Sequence, residues 1–276
     1  MRLATIRTGG RTAAVRIEGD VALDVGAPDV GALLADPGWP AVAADGGREH
    51  DAGELDYAPL VPSPGKIVCV GLNYRDHIAE MGHDTPAYPT LFAKFAGALV
   101  GAGDDIVLPA AADAVDWEAE LAVVIGRTVR HATVDEARRA VAGYSILNDV
   151  TARDWQNRTS QWLQGKTFEA TTPLGPHLVT PDDPAFAATM DVSCRVNGQV
   201  MQHGRTDQLV FSPTELVAYI STVVTLRPGD VIATGTPAGV GHGRTPPVYL
   251  ADGDRVVTAI TGLGQCDNRC RAEKRR

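Results

Sequence analysis

Residues 116–126, "DWEAELAVVIG", constrain the fold more than any other stretch of this sequence. The second half, residues 121–125, is an unbroken apolar run, which reads as a β-strand covered on both faces. The first half carries carboxylates at Asp116, Glu118 and Glu120. Strand side chains alternate, so these three share one face at spacings of about 6–7 Å. Ala122 and Val124 continue that face, so like charges are aimed at a layer that turns apolar within one residue. A solvated strand end, pairing with buried arginine or lysine, or a bound cation would each account for this. A further acid, Asp149, ends another apolar run in "SILNDVTARDWQ". Unpaired buried carboxylates are costly and take up protons instead of staying ionised. A hard divalent ion with oxygen ligands, Mg²⁺ or Mn²⁺, relieves the repulsion. The residues alone leave the choice open.

Length and charge narrow the classes. The 276 residues suffice for one large domain, or for a domain with a smaller companion. A net charge of −9, from 25 basic and 34 acidic residues, gives no footprint for nucleic acid. The basic cluster "RAEKRR" reads as a solvated tail. No apolar run approaches the ~18 residues that span a bilayer, and "MRLATIRTGG" lacks the apolar stretch of a signal peptide. Cys69, Cys194, Cys266 and Cys270 are scattered, which fits reduced thiols and a cytoplasmic location. "CDNRC" has no second Cys/His pair near it to complete a metal site.

Local signals give a β-dominated α+β chain. "RLATIR", a "TGG" turn and "TAAVRI" predict a hairpin, and "DVGALLAD" a short helix. "YAPLVPSPGK", with three prolines and a glycine, reads as a linker. We therefore expect a small N-terminal β/α domain over residues 1–62 and a catalytic domain over 63–276. Thr133 with Glu136, and Ser212 with Pro213 and Glu215, mark two helix starts. "CRVNGQVM" is an Asn-Gly hairpin, and "RPGDVIAT" and "ADGDRVVTAI" each place a turn before a strand. Strand and helix do not alternate regularly enough for a doubly wound sheet.

Three further segments bear on chemistry. In "NYRDHIAEMG", His77 and Glu80 are three apart and share a helix face, a pairing that can deprotonate water. "LQGKTFEATTPLGP" fails as a phosphate loop, because Ser160 stands where the first glycine belongs and Pro173 breaks the helix that should follow. "ATGTPAGVG" is either a backbone-lined turn beside a ligand or a simple tight turn. No G-x-S-x-G elbow supports a serine hydrolase.

Taken in order, "GLNYRDHIAE", "DWEAELAVVIG", "GYSILNDVTARDWQ", "GKTFEATTPLGP", "VNGQVMQ" and "ATGTPAGVG" resemble the fumarylacetoacetate hydrolase family over roughly residues 64–270. The resemblance implies a mixed β-sandwich roll with a small N-terminal domain, in a homodimer. It implies Mg²⁺ or Mn²⁺ held by Glu118, Glu120 and Asp149, with Ca²⁺ as a possible substitute in a crystal. His77 and Glu80 would sit on a mobile lid, residues 73–89, and act on water. Lys166 would place positive charge at the reacting oxygens, while Arg153, Gln156 and Thr236 would face the substrate. His83 in the same segment reads as a solvated loop residue.

The implied substrates are small 2-oxo or diketo acids. A C–C bond hydrolase or lyase, cleaving acylpyruvates or decarboxylating oxaloacetate, is the first expectation. An isomerase or decarboxylase of aromatic catabolism, acting on a hydroxy-diene-dioate or a tricarboxylate, is the alternative. An inactive metal-binding protein is the remote one.

Overall fold

The computed structural model describes residues 1–274; Arg275 and Arg276, the end of the basic tail, lie outside the described residues. The run that opens the sequence reading forms the strand Ala119–Ile125, buried at every residue. It lies inside an 11-stranded mixed sheet, between Val141–Asn148 and Val231–Ala233. Beyond Val231–Ala233 come a parallel neighbour, Ile67–Gly71, and the edge strand Thr90–Lys94. On the other side follow Thr172–Val179 and the N-terminal strands Arg2–Thr8, Arg11–Glu18, Val21–Asp24 and Glu49–Asp51. The expected N-terminal hairpin therefore extends the central sheet, with Leu3 opposite Leu178.

A second sheet of five strands packs on one face. Its order is Gln199–Arg205, Asp191–Val196, Arg255–Ile260, Gly264–Ala272 and Ile106–Leu108. Asn197 and Gly198, at φ of 51° and 81°, make the expected tight turn in its first hairpin. The architecture is thus a β-dominated α+β roll, as the sequence predicts.

Alternation along Ala119–Ile125 assigns its side chains to separate layers. Leu121 enters the layer between the sheets, with Trp117 and the thiols of Cys194, Cys266 and Cys270. Val123 and Ile125 pack beneath the helix Pro213–Val223, against Leu216, Val217 and Ile220. Ala122 and Val124 face the opposite way, into a core shared with Leu33, Leu34, Leu60 and Val61. Glu118 and Glu120 have the parity of Ala122 and Val124, so they stand where that layer ends. Residues 58–66 contain no strand or helix, as expected of a linker, yet Leu60 and Val61 are buried in this core.

Both expected capping boxes form, Thr133 with Glu136 ahead of Val134–Ala140 and Ser212 with Glu215 ahead of Pro213–Val223. All four cysteines are unpaired and buried. Among the described residues no helix is long and apolar enough to cross a membrane.

Candidate active site

The strand that carries the acids is broken where they begin. Val115–Asp116 pairs with Thr151–Ala152, and regular structure resumes only at Ala119. Side chains replace the missing ladder: Glu118 N–H donates to Asn148 Oδ1 and Ala119 N–H to Gln202 Oε1, each at 2.9 Å. Gln202 Nε2 donates in turn to Thr236 Oγ1 at 2.8 Å, and Thr236 Oγ1 donates to Ala119 O at 2.9 Å. Buried backbone donors that no neighbouring strand can satisfy are thereby paired.

The break corrects one expectation, that Asp116 shares a face with Glu118 and Glu120. Asp116 turns aside and accepts from Arg153 Nε at 2.8 Å, Gly241 N–H at 2.7 Å and His242 N–H at 2.9 Å. It is a structural anchor for Arg153 and the loop at 241–242.

Glu118, Glu120 and Asp149 do converge. One oxygen of each lies within 4.8 Å of the others, and all three residues are buried. Lys166 Nζ donates to Glu118 Oε2 at 2.7 Å and Asp149 Oδ2 at 2.8 Å. Lys94 Nζ donates to Asp149 Oδ1 at 2.6 Å. Arg153 Nη1 lies 2.7 Å from Glu118 Oε1 and donates to Gln156 Oε1 at 3.0 Å. Lys166 gets this close because residue 165 is glycine. A Cβ there would lie 2.5 Å from Gln156 N and 2.6 Å from Ala152 O.

These contacts split the acids electrostatically. Burial opposes the charge on Glu118, but Lys166 and Arg153 outweigh it and hold its pKa well below the usual range. Burial also opposes the charge on Lys166, yet Asp149 and Glu118 raise its pKa. Glu120 goes the other way: burial, then Asp149 and Glu118, push it well above the carboxylate range. It accepts from Gly235 N–H at 2.8 Å and forms no ion pair among the described residues. Ionised together, Asp116, Glu118, Glu120 and Asp149 carry one more charge than Lys94, Arg153 and Lys166, an excess that either a proton on Glu120 or a bound cation relieves. An oxygen-only donor set with excess negative charge fits a hard divalent cation such as Mg²⁺ or Mn²⁺.

The His–Glu pair forms on the short helix Arg75–Glu80. His77 Nδ1 lies 2.9 Å from Glu80 Oε2, and Glu80 Oε1 accepts from Gly239 N–H at 2.9 Å. Burial opposes ionisation of Glu80, but the bonds from His77 and Gly239 N–H lower its pKa. The helix is rooted by Asn73, whose amide bonds Thr234 O at 2.7 Å and Phe211 O at 3.0 Å.

"ATGTPAGVG" proves to be a backbone-lined turn. Amides of Gly235, Gly239 and Gly241 reach Glu120, Glu80 and Asp116 respectively. Gly239 has φ +104, and a Cβ on it would lie 2.1 Å from Met201 O, so only glycine serves.

His77, Glu118, Glu120, Arg153, Gln156, Lys166 and Thr236 line one cavity of about 250 Å³; Asp149 and Glu80 stand behind this lining. Of the residues expected to face substrate, Arg153 is engaged by acids and Thr236 by the strand break. The sequence reading missed Lys94, Asn148, Gln202 and His242. Asn148 and Gln202 lie inside motifs quoted above, but no local pattern gave them or Lys94 a role.

Residues 66–271 match the model of the fumarylacetoacetate (FAA) hydrolase C-terminal family. The chain belongs to this family. The Homo sapiens mitochondrial oxaloacetate tautomerase is 49% identical over 218 residues, which cover 78% of this chain and 69% of that protein. Among solved structures, a fumarylacetoacetate hydrolase from Exiguobacterium antarcticum superposes with a TM-score of 0.88 at 36% identity, covering 99% of this chain and 100% of that one. A 5-carboxymethyl-2-hydroxymuconate delta-isomerase from Mycobacterium smegmatis superposes with a TM-score of 0.83 at 35% identity and the same coverage. Relatives of this fumarylacetoacetate hydrolase family member are thus named for tautomerisation, hydrolysis and isomerisation.

Proposed function

We propose that this chain is a divalent-metal-dependent enzyme that moves a proton at the carbon beside the keto group of a short 2-oxo dicarboxylate, with oxaloacetate tautomerisation as its leading reaction. One observation carries the reading: His77, backed by Glu80 at 2.9 Å, opens onto the same cavity as Glu118, Glu120 and Lys166. A Mg²⁺ or Mn²⁺ ion held by Glu118, Glu120 and Asp149 would supply Lewis acidity toward the keto and carboxylate oxygens of such a substrate.

The side chains supply the rest. An ionised Glu80 only accepts, so His77 donates from Nδ1 and keeps Nε2 as the basic nitrogen. Nε2 takes the proton from carbon, the C–H electrons become the C=C bond, and the carbonyl electrons move onto oxygen. The imidazolium then returns that proton to the oxygen, giving the enol. Lys166 has one N–H beyond its bonds to Glu118 and Asp149, and its charge stabilises the developing oxyanion. The small cavity suits a short substrate, and oxaloacetate is named for the 49%-identical human relative.

The same dyad supports a second reading, in which His77 Nε2 deprotonates a water that cleaves an acylpyruvate. Assays of purified protein with Mg²⁺ on oxaloacetate enol decay, oxaloacetate decarboxylation, acylpyruvate hydrolysis and hydroxy-diene-dioate isomerisation separate these readings. No acceleration of enol–keto interconversion would sink the first. The proposal includes a homodimer and a cytoplasmic location, which light scattering and cell fractionation check.

A further inference from the structure

We infer that His242 recognises the distal carboxylate of the substrate and so sets the preference for dicarboxylates over monocarboxylates. The inference rests on the 2-oxo dicarboxylate reading above. A second anion entering this cavity finds the buried cations already committed. Lys94 is engaged by Asp149 and Arg153 by Asp116 and Glu118, while the one N–H that Lys166 keeps beyond Glu118 and Asp149 is assigned above to the reacting oxygen. The distal carboxylate must therefore be met by a polar donor outside that cluster.

His242 lines the cavity and is the donor best fixed in place. Its backbone N–H is held by Asp116 Oδ2 at 2.9 Å, tying it to the buried floor. Its ring stacks on Tyr249 at 6.3 Å between centroids, with 29° between planes. Tyr249 Oη lies 2.9 Å from His242 Nδ1 and has no other partner among the described residues. With Nδ1 engaged by the Tyr249 hydroxyl, Nε2 is the ring nitrogen left to meet a ligand, and it carries the N–H when Tyr249 Oη donates to Nδ1. The loop also touches the dyad, since a Cβ on Gly243 would lie 2.9 Å from Glu80 Cδ. His83 lines the cavity as well, but it is exposed, and among the described residues no side-chain bond fixes its ring. A fixed ring binds an anion without first being ordered, which favours His242.

The test compares two ligands on full-length protein in Mg²⁺, by calorimetry. Oxalate mimics the 2-oxo acid head alone; difluoro-oxaloacetate adds the distal carboxylate but has no C–H to lose. Wild type should prefer the longer ligand, and His242→Ala should lower the affinity ratio about tenfold, the usual worth of a hydrogen bond to a charged group. For oxaloacetate turnover the change should appear in KM more than in kcat. His242→Asn, a neutral donor, should restore part of the ratio, and Tyr249→Phe, which frees the ring, should lower it less than His242→Ala does. An unchanged ratio in His242→Ala, or in Tyr249→Phe should the first variant not fold, overturns the inference while the tautomerase reading stands. If wild type neither binds the longer ligand nor turns over oxaloacetate, the tautomerase reading fails and this inference fails with it.

Discussion

The floor of the cavity and the helix that covers it are built in opposite ways. On the floor, Glu118 is paired with Lys166 and Arg153, and Asp149 with Lys94 and Lys166, all of them buried. Above it, His77 and Glu80 share one side-chain bond, and a single backbone N–H from Gly239 supports Glu80. The helix Arg75–Glu80 has six residues, far short of the ~12–15 at which a helix is marginally stable alone. It holds position through Tyr74 and Ile78, which are buried, and through Asn73. A charged floor fixed in advance stabilises charge that develops in a reaction without reorganising. Under the proposed lid role, a helix this short would bring its base up and withdraw it by pivoting after the buried Asn73 and Tyr74.

Breaking the floor should have the largest effect. Glu118→Ala removes a proposed metal ligand and the shared partner of Lys166 and Arg153, and turnover of every candidate substrate should vanish. Chelation should do the same, with recovery on adding Mg²⁺. Full activity in the chelated protein would show that the acid cluster is only an ion-pair network.

Breaking the lid dyad should cost less and discriminate among reactions. His77→Ala should slow tautomerisation, and any hydrolysis, by about 10²–10⁴-fold, the span of general acid–base catalysis. Decarboxylation of a β-keto acid needs no base to remove a proton, so it should suffer less. Equal losses in all three would mean that His77 orients substrate or closes the cavity, and its assignment as base would be wrong.

The floor and the lid were also unequally legible in the sequence. His77 and Glu80 could be paired because they are neighbours on one helix, and Glu118 with Glu120 because strand parity places them together. Parity failed for Asp116, since nothing in "DWEAE" shows that the strand breaks at Trp117 and Glu118. Asn148 and Gln202 satisfy that break from 30 and 83 residues away, so no local pattern connects them to it. Lys94 meets Asp149 across 55 residues and reads locally as the exposed side of an edge strand. The glycine-rich loop was visible, but its function resides in backbone amides, which leave no residue-type signature beyond the glycines. The β-dominated α+β class was legible, because hairpin turns and capping boxes are short-range features, whereas the roll came only from the family resemblance.

A stability measurement sharpens the contrast. Lys94→Met leaves Asp149 with one buried cation in place of two. The cost should approach about 3 kcal/mol, the low end for removing one partner of a buried pair, or roughly 6–12 °C in Tm. His77→Ala, which breaks one bond on the covering helix, should shift Tm by no more than about a third of that. Similar shifts for the two variants would remove the distinction between a fixed floor and a loosely held lid.

The smallest expected effect is the acid response of Glu80. Its pKa in the folded protein lies below the ordinary value of 4.5: burial opposes ionisation, but the bonds from His77 and Gly239 N–H prevail. A carboxylate depressed by folding contributes stability that is complete above its unfolded pKa and is lost as pH falls through the folded value. Glu80→Gln keeps the shape of the side chain and removes that titration. The wild type should therefore exceed Glu80→Gln in Tm by roughly 2–4 °C at most near neutral pH, as fits a half-buried pair screened by solvent. The gap should close as pH drops below about 4.5, while floor residues, common to both proteins, cancel in the difference. Melting curves of the two metal-free proteins between pH 3 and 7 measure it. A gap that stays constant or widens in acid would mean that His77 and Gly239 do not hold the Glu80 charge, and that Glu80 contributes to the lid by shape alone.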